Sequence, residues 1–333
     1  MGFLCAKKVS YSLEYHHRIV RGEKWTGGSY MKKAFVTGAA GFIGYHLCSR
    51  LLDEEVDVVG IDMAESPDRI DFIARHAGFQ YLPYDINETD LQPHTNGCDV
   101  IFHLACSVKP TAPWANIEDE VQRNVSVLKK VASLANSETK LIYVSSYDVY
   151  GKRQGDVLET SPKNPESLFG LIKLTEENIV KQLAEQHDFP FVIMRLPTVY
   201  GPGQPEHHTY QQVISIEDQD QNRNDSISKD SVTEDVLFVD DAAEALFLAG
   251  KSTAKNEIYN ISSGNQNQWL EGLTELKADQ LTFKEKRKMR IKGEKAETEL
   301  GFRAKTKIKE GIMKQIMHFR NRNKKSKPNS KEI

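Results

Sequence analysis

The chain has 333 residues, 39% hydrophobic and 27% charged, with a formal net charge of −3 at pH 7. That length holds one large α/β domain or two ordinary ones. The charge balance gives no global basic field to draw nucleic acid, and no apolar run approaches membrane-spanning length.

Residues 1–30 contain short apolar stretches broken by charge, which is not the pattern of a signal peptide. Met31 stands immediately before the first good strand pattern. The first 30 residues therefore read as an N-terminal extension, either an upstream start or a targeting or partner-binding arm. Cys5, Cys48, Cys98 and Cys106 share no metal-ligand spacing. Scattered single cysteines suggest a reducing, cytoplasmic setting rather than a disulfide framework.

"KKAFVTGAAGFIGYHLCSRLL" reads as a strand, a glycine turn and an amphipathic helix carrying Leu47, Leu51 and Leu52. "VDVVGID" is the next strand, and "GFQYLPYDI", "CDVIFHLA", "KLIYVSS", "FPFVIMRL" and "NEIYNIS" repeat the pattern. Helical stretches lie between most of them, at Glu118–Ala135, Pro165–Gln186 and Asp241–Ala249. Alternating strand and helix predicts an α/β fold with a Rossmann-like, doubly wound parallel sheet. Glu217–Asp235 is polar and acidic, and is expected to be a surface excursion or partly disordered. The basic tail from residue 319 lacks apolar periodicity and is expected to be a solvated, frayed terminus.

Gly38, Gly41 and Gly44 form a G-x-x-G-x-x-G turn between a strand and a helix. Glycine permits the tight turn and lets backbone approach a pyrophosphate, and the helix N-terminus offers free N–H groups to that anion. Asp62 ends the second strand, about 20 residues on, where a carboxylate accepts from the adenosine ribose hydroxyls and repels a 2′-phosphate. The cofactor expected is therefore NAD rather than NADP. The bland alternative is an ordinary βα turn with a surface aspartate.

Several motifs in series carry a more specific resemblance. "TGAAGFIG", "FHLAC", "YVSSYDVYG", a lysine at 173, "MRLPTVYGPGQ" and "YNISSG" stand in the order found in the extended short-chain dehydrogenase/reductases. The chain resembles the NAD-dependent epimerase/dehydratase group of that family, which includes UDP-glucose 4-epimerase and dTDP-glucose 4,6-dehydratase. The resemblance covers roughly residues 31 to 319. It implies an NAD-binding domain over 31–195, a smaller substrate lobe over 196–318 that partly interleaves with it, and a basic flexible tail over 319–333.

The resemblance also implies site residues. Ala40, Phe42 and Ile43 join the three glycines around the cofactor. Asp85 and Ile86 lie near the adenine, Leu104 and Ala105 run along the cofactor, and Asn124 and Ser145 support it. Lys173 holds the nicotinamide ribose. Ser146 hydrogen-bonds the sugar oxygen that reacts, and Ser107, Thr198 and Tyr200 contact the substrate. The implied partner is a nucleotide-sugar-like small molecule, and the helices at 118–135 and 165–186 would pair a homodimer. Nucleic acid and membrane are not expected partners.

In that family a tyrosine four residues before the lysine takes the hydroxyl proton during hydride transfer. Here "SLFGLIKLTEE" places Phe169 at that position, and phenylalanine carries no proton. Tyr147 and Asp148, just after Ser146, are the candidate substitutes. Only the aspartate ionises near neutral pH, since a phenol titrates near 10. The alternative is that both are ordinary residues at a strand end. Glu234 stands where relatives carry an arginine that meets the substrate diphosphate, and Lys229-Asp230-Ser231 replaces their G-D-G turn. Three readings follow: an NAD-dependent nucleotide-sugar epimerase/dehydratase with impaired or altered activity, an enzyme using Asp148 on a different substrate, or a non-catalytic NAD-binding relative. His207 and His208 are adjacent, and a metal site needs more converging ligands than two neighbours supply, so no metal is expected.

Overall fold

The computed structural model describes residues 31–63, 69–109, 112–218, 235–265, 267–278 and 289–326. The expectations for residues 1–30, for Lys229-Asp230-Ser231, for Glu234 and for the end of the tail lie outside them.

The elements run in chain order as β1 (Lys33–Thr37), α1 (Phe42–Asp53), β2 (Asp57–Ile61), β3 (Phe79–Leu82), α2 (Gln92–Thr95), β4 (Val100–His103), α3 (Ile117–Ala132) and β5 (Lys140–Ser146). There follow β6 (Gly155–Val157), α4 (Leu168–His187), β7 (Phe191–Leu196), β8 (Thr198–Tyr200), α5 (Thr209–Asp218), β9 (Val236–Phe238), α6 (Val239–Lys251) and β10 (Glu257–Asn260). The chain continues through α7 (Gln268–Glu275), β11 (Met289–Ile291), α8 (Glu294–Leu300) and α9 (Ile308–Ser326).

Seven strands form one parallel sheet in the order β10-β7-β5-β4-β1-β2-β3. Successive side chains of a strand point to opposite faces, and both faces of this sheet are covered. On β1, Ala34 and Val36 pack into the core cluster that includes Leu47 and Leu51 of α1 and Leu246 of α6. Phe35, between them, packs on the other side with Leu128 of α3 and Val180 of α4. The strand order reverses between β1 and β4, and a crevice opens there beyond the carboxyl ends of the strands.

Helix α4 has a clear start and stop. Ser167 caps it, its hydroxyl accepting the Gly170 N–H at 3.0 Å. Asp188, in a left-handed conformation at φ 52°, ends it. The second lobe is built from short pairings. Strand β8 pairs with β9 and β6 with β11, while β10 returns to the edge of the large sheet beside β7. No helix among the described residues is long and apolar enough to cross a membrane.

Two expectations change. Asp235 is 4% exposed and accepts from Ser262 Oγ, Ser263 Oγ and the Ser263 N–H, so the end of the acidic stretch is an anchored core position and not surface. The tail is helical as far as Ser326, because Ile312 is buried and Ile316 and Phe319 pack against the main core, carrying α9 into the basic segment.

Candidate active site

The glycine turn is sterically obligatory. Gly38 has φ +71°, and a Cβ there would lie 2.9 Å from the Ala105 nitrogen on the neighbouring strand's loop. A Cβ on Gly44 would lie 2.0 Å from the Gly38 carbonyl oxygen. Helix α1 begins at Gly41 with no side-chain cap and no acidic residue in its first turn. Its first N–H groups and positive dipole end are thus left for an anion. Asp62 Oδ2 accepts the Ala40 N–H at 3.1 Å, which ties the second strand's carboxylate to the turn. Gly44→Ala is expected to weaken NAD binding roughly tenfold or more, because backbone meets backbone and overpacking costs about 1–3 kcal/mol. Titration of the variant by protein fluorescence checks it; unchanged affinity would refute the pyrophosphate role.

Two cavities flank this turn and share Gly38, Gly41, Leu104 and Cys106 as a common wall. One, of about 350 Å³, is lined by Asp62, Met63, Tyr84, Asp85, Ile86, Ala105, Ser107, Arg123 and Asn124. The other, of about 360 Å³, is lined by Phe42, Ile43, Ser145, Ser146, Asp148, Phe169, Lys173, Thr198, His207, His208 and Trp269 among others. Joined cavities on either side of an anion cradle suit a ligand with two bulky ends and a charged middle. The donor set therefore fits a dinucleotide.

The loop after β4 is held by a buried relay. Thr37 Oγ1 accepts the Leu104 and Ala105 N–H groups, each at 3.2 Å, so its own hydrogen points to His103 Nδ1 at 2.8 Å. His103 is therefore protonated on Nε2, and burial together with the Lys173 charge lowers its pKa to about 3. Asn124 accepts the Ser107 N–H at 3.0 Å and donates to Ser107 Oγ at 2.9 Å, fixing the same loop from α3. Ser107 Oγ in turn donates to Glu120 at 2.9 Å. Asp85 Oδ1 accepts the Asn87 N–H at 2.7 Å, shaping the wall of the smaller cavity.

Lys173 and Phe169 share a face of α4, one turn apart. Lys173 is 5% exposed, and its ammonium donates to the Val144 carbonyl at 3.0 Å. That ammonium lies 5.0 Å from the centroid of Tyr143 and 5.8 Å from that of Phe169. Glu176 stands 3.9 Å from the amine and accepts Tyr143 Oη at 2.6 Å. Burial raises the Glu176 pKa, opposed by Lys173 and Tyr143.

Ser146 Oγ donates to Asp148 Oδ2 at 2.8 Å and accepts the Asp148 N–H at 3.2 Å. The turn that carries Asp148 presses on the start of α4, where a Cβ on Gly170 would lie 2.6 Å from the Asp148 carbonyl oxygen. Glycine beside Phe169 is thus what lets the aspartate approach. Tyr147 is 1% exposed and donates its phenol to the Ile261 carbonyl. Burial, with Asp235, raises its pKa well above the ordinary value. Of the two candidate proton carriers, Asp148 has the accessible position.

Two expected site residues have other partners. Ser145 lines the cavity, but its hydroxyl is spent on Glu177 at 2.6 Å. Tyr200 is 0% exposed and packs edge-on against Tyr210 and Phe238 in the core, apart from both cavities. Thr198, two residues earlier on β8, does line the larger cavity. Cys106, Gln204, His207, His208, Tyr210 and Trp269 line it without having been expected there. The histidine pair carried a sequence signal, but one read only for metal. Among the described residues no three His, Cys, Asp or Glu side chains converge as a metal site.

Residues 34–262 match the family model "NAD dependent epimerase/dehydratase family". An uncharacterized UDP-glucose epimerase of Bacillus subtilis, YtcB, is 33% identical over 193 residues, covering 55% of this chain and 61% of that protein. Human dTDP-D-glucose 4,6-dehydratase is 28% identical over 329 residues, covering 88% of this chain and 91% of the relative. Among solved structures, UDP-glucuronic acid 4-epimerase from Bacillus cereus in complex with NAD has a TM-score of 0.77 at 27% identity, covering 88% of this chain and 98% of that one. A tyrosine-to-phenylalanine variant of that enzyme, in complex with UDP-4-deoxy-4-fluoro-glucuronic acid and NAD, has a TM-score of 0.76 at 26% identity, covering 87% and 99%.

Proposed function

The chain belongs to the NAD dependent epimerase/dehydratase family, and on that premise we propose that it binds NAD and a nucleotide sugar and acts at a sugar carbon by hydride transfer, with the proton step altered by Phe169. NAD, when bound, supplies the hydride acceptor. The chain's own residues bind, orient and move the proton. Gly38, Gly41 and Gly44 cradle the pyrophosphate, Asp62 takes the ribose hydroxyls, and Lys173 holds the second ribose.

One observation carries the reading. Ser146, Phe169 and Lys173 line the same cavity, and that cavity shares the glycine turn as a wall with the adenosine cavity. A substrate sugar placed there lies beside the nicotinamide end. A related epimerase with phenylalanine in place of one tyrosine is known with both NAD and a UDP-sugar bound, which supports ligand binding without that phenol.

The Ser146–Asp148 bond favours a particular proton route. A hydroxyl proton handed to Ser146 Oγ has a carboxylate acceptor one hydrogen bond away. Under this reading Asp148 is the base, and its conversion to asparagine removes the acceptor while keeping the shape. The test uses the full chain with NAD and a panel of UDP-, dTDP- and GDP-sugars, products being resolved by chromatography. Turnover is expected to be slow, and Asp148→Asn is expected to lower it about 10²-fold or more. Equal turnover by both would eliminate the aspartate route. Binding of NAD and sugar with no turnover at all would make the chain a non-catalytic relative.

The finer assignments belong to the same proposal. Helices α3 and α4 pack side by side, which supports pairing with a second copy through that layer. Light scattering of the purified chain distinguishes a dimer from a monomer. The free state of Cys48, Cys98 and Cys106 supports a reducing, cytoplasmic setting.

A further inference from the structure

We infer that His46 is a positioning residue. As an imidazolium it clips the loop that walls the larger cavity, and sugar-nucleotide affinity falls when the ring loses its second proton. The inference rests on reading that cavity as a nucleotide-sugar site; His46 itself does not line it.

His46 sits on the second turn of α1, just past the glycine turn. Its Nδ1 lies 2.8 Å from Asp240 Oδ1, at the start of α6, and its Nε2 lies 3.1 Å from the Pro202 carbonyl oxygen. A carboxylate and a carbonyl oxygen only accept. A neutral imidazole has one N–H, and would turn a lone pair toward one of these two oxygens. Both bonds together therefore require a proton on each nitrogen. The side chain is 14% exposed, so water is poorly placed to replace a lost partner.

Pro202 stands between Gly201 and Gly203, at φ 138° and 81°, in the segment that joins β8 to α5. Gln204 and Pro205, next along, line the larger cavity. Two cations hold this loop by its carbonyls: His46 takes Pro202, and Arg69 donates to Gly203 at 2.7 Å. Phe42, which lines the same cavity, packs edge-on against the His46 ring with 6.0 Å between centroids. The cavity wall thus rests on His46 from two sides.

The other charged and titratable groups about the ring are Tyr45, Arg50 and Asp53 on α1, Glu244 on α6, Arg69, and His318 and Arg322 on α9. Arg50 is consumed by Glu244 at 2.6 Å, one turn beyond. Burial, then the His46 charge, lowers the His318 pKa. Asp240 is the carboxylate bonded to the ring. When the second proton leaves, the remaining one stays with Asp240, because a hydrogen bond to a charged acceptor is roughly twice as strong as one to a neutral oxygen. The bond lost is then the one to Pro202. A ligand that favours the clipped loop holds the proton in place, so its affinity is full at low pH and declines as pH rises.

The NAD-loaded full chain is titrated calorimetrically with UDP-glucose at pH 6, 7, 8 and 9. The diphosphate of this ester does not titrate over that range, so a pH dependence reports the protein. Affinity is expected to fall about five- to tenfold from pH 6 to pH 9, the worth of one hydrogen bond. Nitrogen NMR spectra at pH 6 are expected to show both His46 ring nitrogens protonated, the signals being assigned by their loss in His46→Gln. That variant, with no titrating ring, is expected to bind weakly and independently of pH. Asp240→Asn separates charge from packing. Its amide can donate to Nδ1, so a neutral ring serves both partners, and the variant is expected to keep its pH 6 affinity across the range. A decline that persists in Asp240→Asn places the titrating group elsewhere and overturns the clip, as does a neutral ring at pH 6. A charged ring with affinity flat in pH overturns the positioning role while leaving the nucleotide-sugar reading standing. Bound NAD with no binding of the sugar nucleotide at any pH overturns both.

Discussion

Replacing Phe169 with tyrosine is expected to raise turnover of a nucleotide sugar by about 10²–10⁴-fold, or roughly 3–5 kcal/mol of barrier. The ring already lines the cavity and is only partly buried against Leu168 and Ile172. Lys173 sits 5.8 Å from the ring centroid, and its charge would lower the new phenol's pKa from about 10. Ser146 lines the same cavity, where under the proposed function it polarises the sugar oxygen. The gain should appear in kcat with little change in KM, since the phenol acts in the transition state and adds little ground-state binding. The variant and the unmodified chain are compared with NAD over the same sugar panel. A variant that binds both ligands yet gains nothing would place the defect elsewhere, with Glu234 the first position to examine. A variant slower than the unmodified chain would show that the Asp148 route is the evolved one and that a phenol obstructs it.

Glu177→Ala is expected to destabilise the fold by about 3–5 kcal/mol, a large part of the roughly 5–15 kcal/mol that holds a domain. Glu177 and Arg195 are both 0% exposed and form a two-pronged pair, at 2.8 and 2.7 Å. Glu177 also accepts Ser145 Oγ, and Arg195 donates to Tyr150 Oη at 2.6 Å and the Glu159 carbonyl at 3.0 Å. Tyr150 continues to Asn260 at 2.7 Å. The network therefore ties β5, α4, β7 and β10 together beneath the larger cavity. Removing the carboxylate strands a guanidinium where water cannot reach it. The double change Glu177→Leu with Arg195→Met is expected to cost less than either half alone, because it leaves no uncompensated charge. Urea denaturation of the four proteins in the cycle measures this. A single-variant cost below about 1 kcal/mol would mean that water or a local shift satisfies the arginine.

Much of this architecture is written in neighbouring residues. The short apolar runs, of the kind buried on both faces, predict all seven strands of the large sheet. The glycine triplet between a strand and a helix predicts the anion cradle, and the 2.0 Å that would separate a Cβ on Gly44 from the Gly38 carbonyl oxygen shows why the third glycine has no substitute. The four-residue spacing of Phe169 and Lys173 predicts their shared face on α4, while the helix read from Pro165 starts at Leu168, capped by Ser167. That a phenylalanine stands four residues before Lys173 is legible in the sequence alone. These features depend on backbone conformation within a few residues, which is why a single sequence reveals them.

The side chains that close the cavity are a different matter. Ser145 and Ser146 are adjacent on β5 and so point to opposite faces, but only packing decides that the first meets Glu177 and the second Asp148. Trp269 and His208 reach the cavity from elements far along the chain. Tyr200 looked like a substrate contact in "TVYG" and is instead a core residue, because β8 turns its ring toward Phe238. Asp235, in a run of polar residues, is buried by two serines from beyond β10. The sequence alone determined the sheet and the glycine turn before α1, since each is a local pattern. Which polar groups face the ligand and which are consumed in the core was decided only by tertiary structure, because that choice depends on partners far away in the chain.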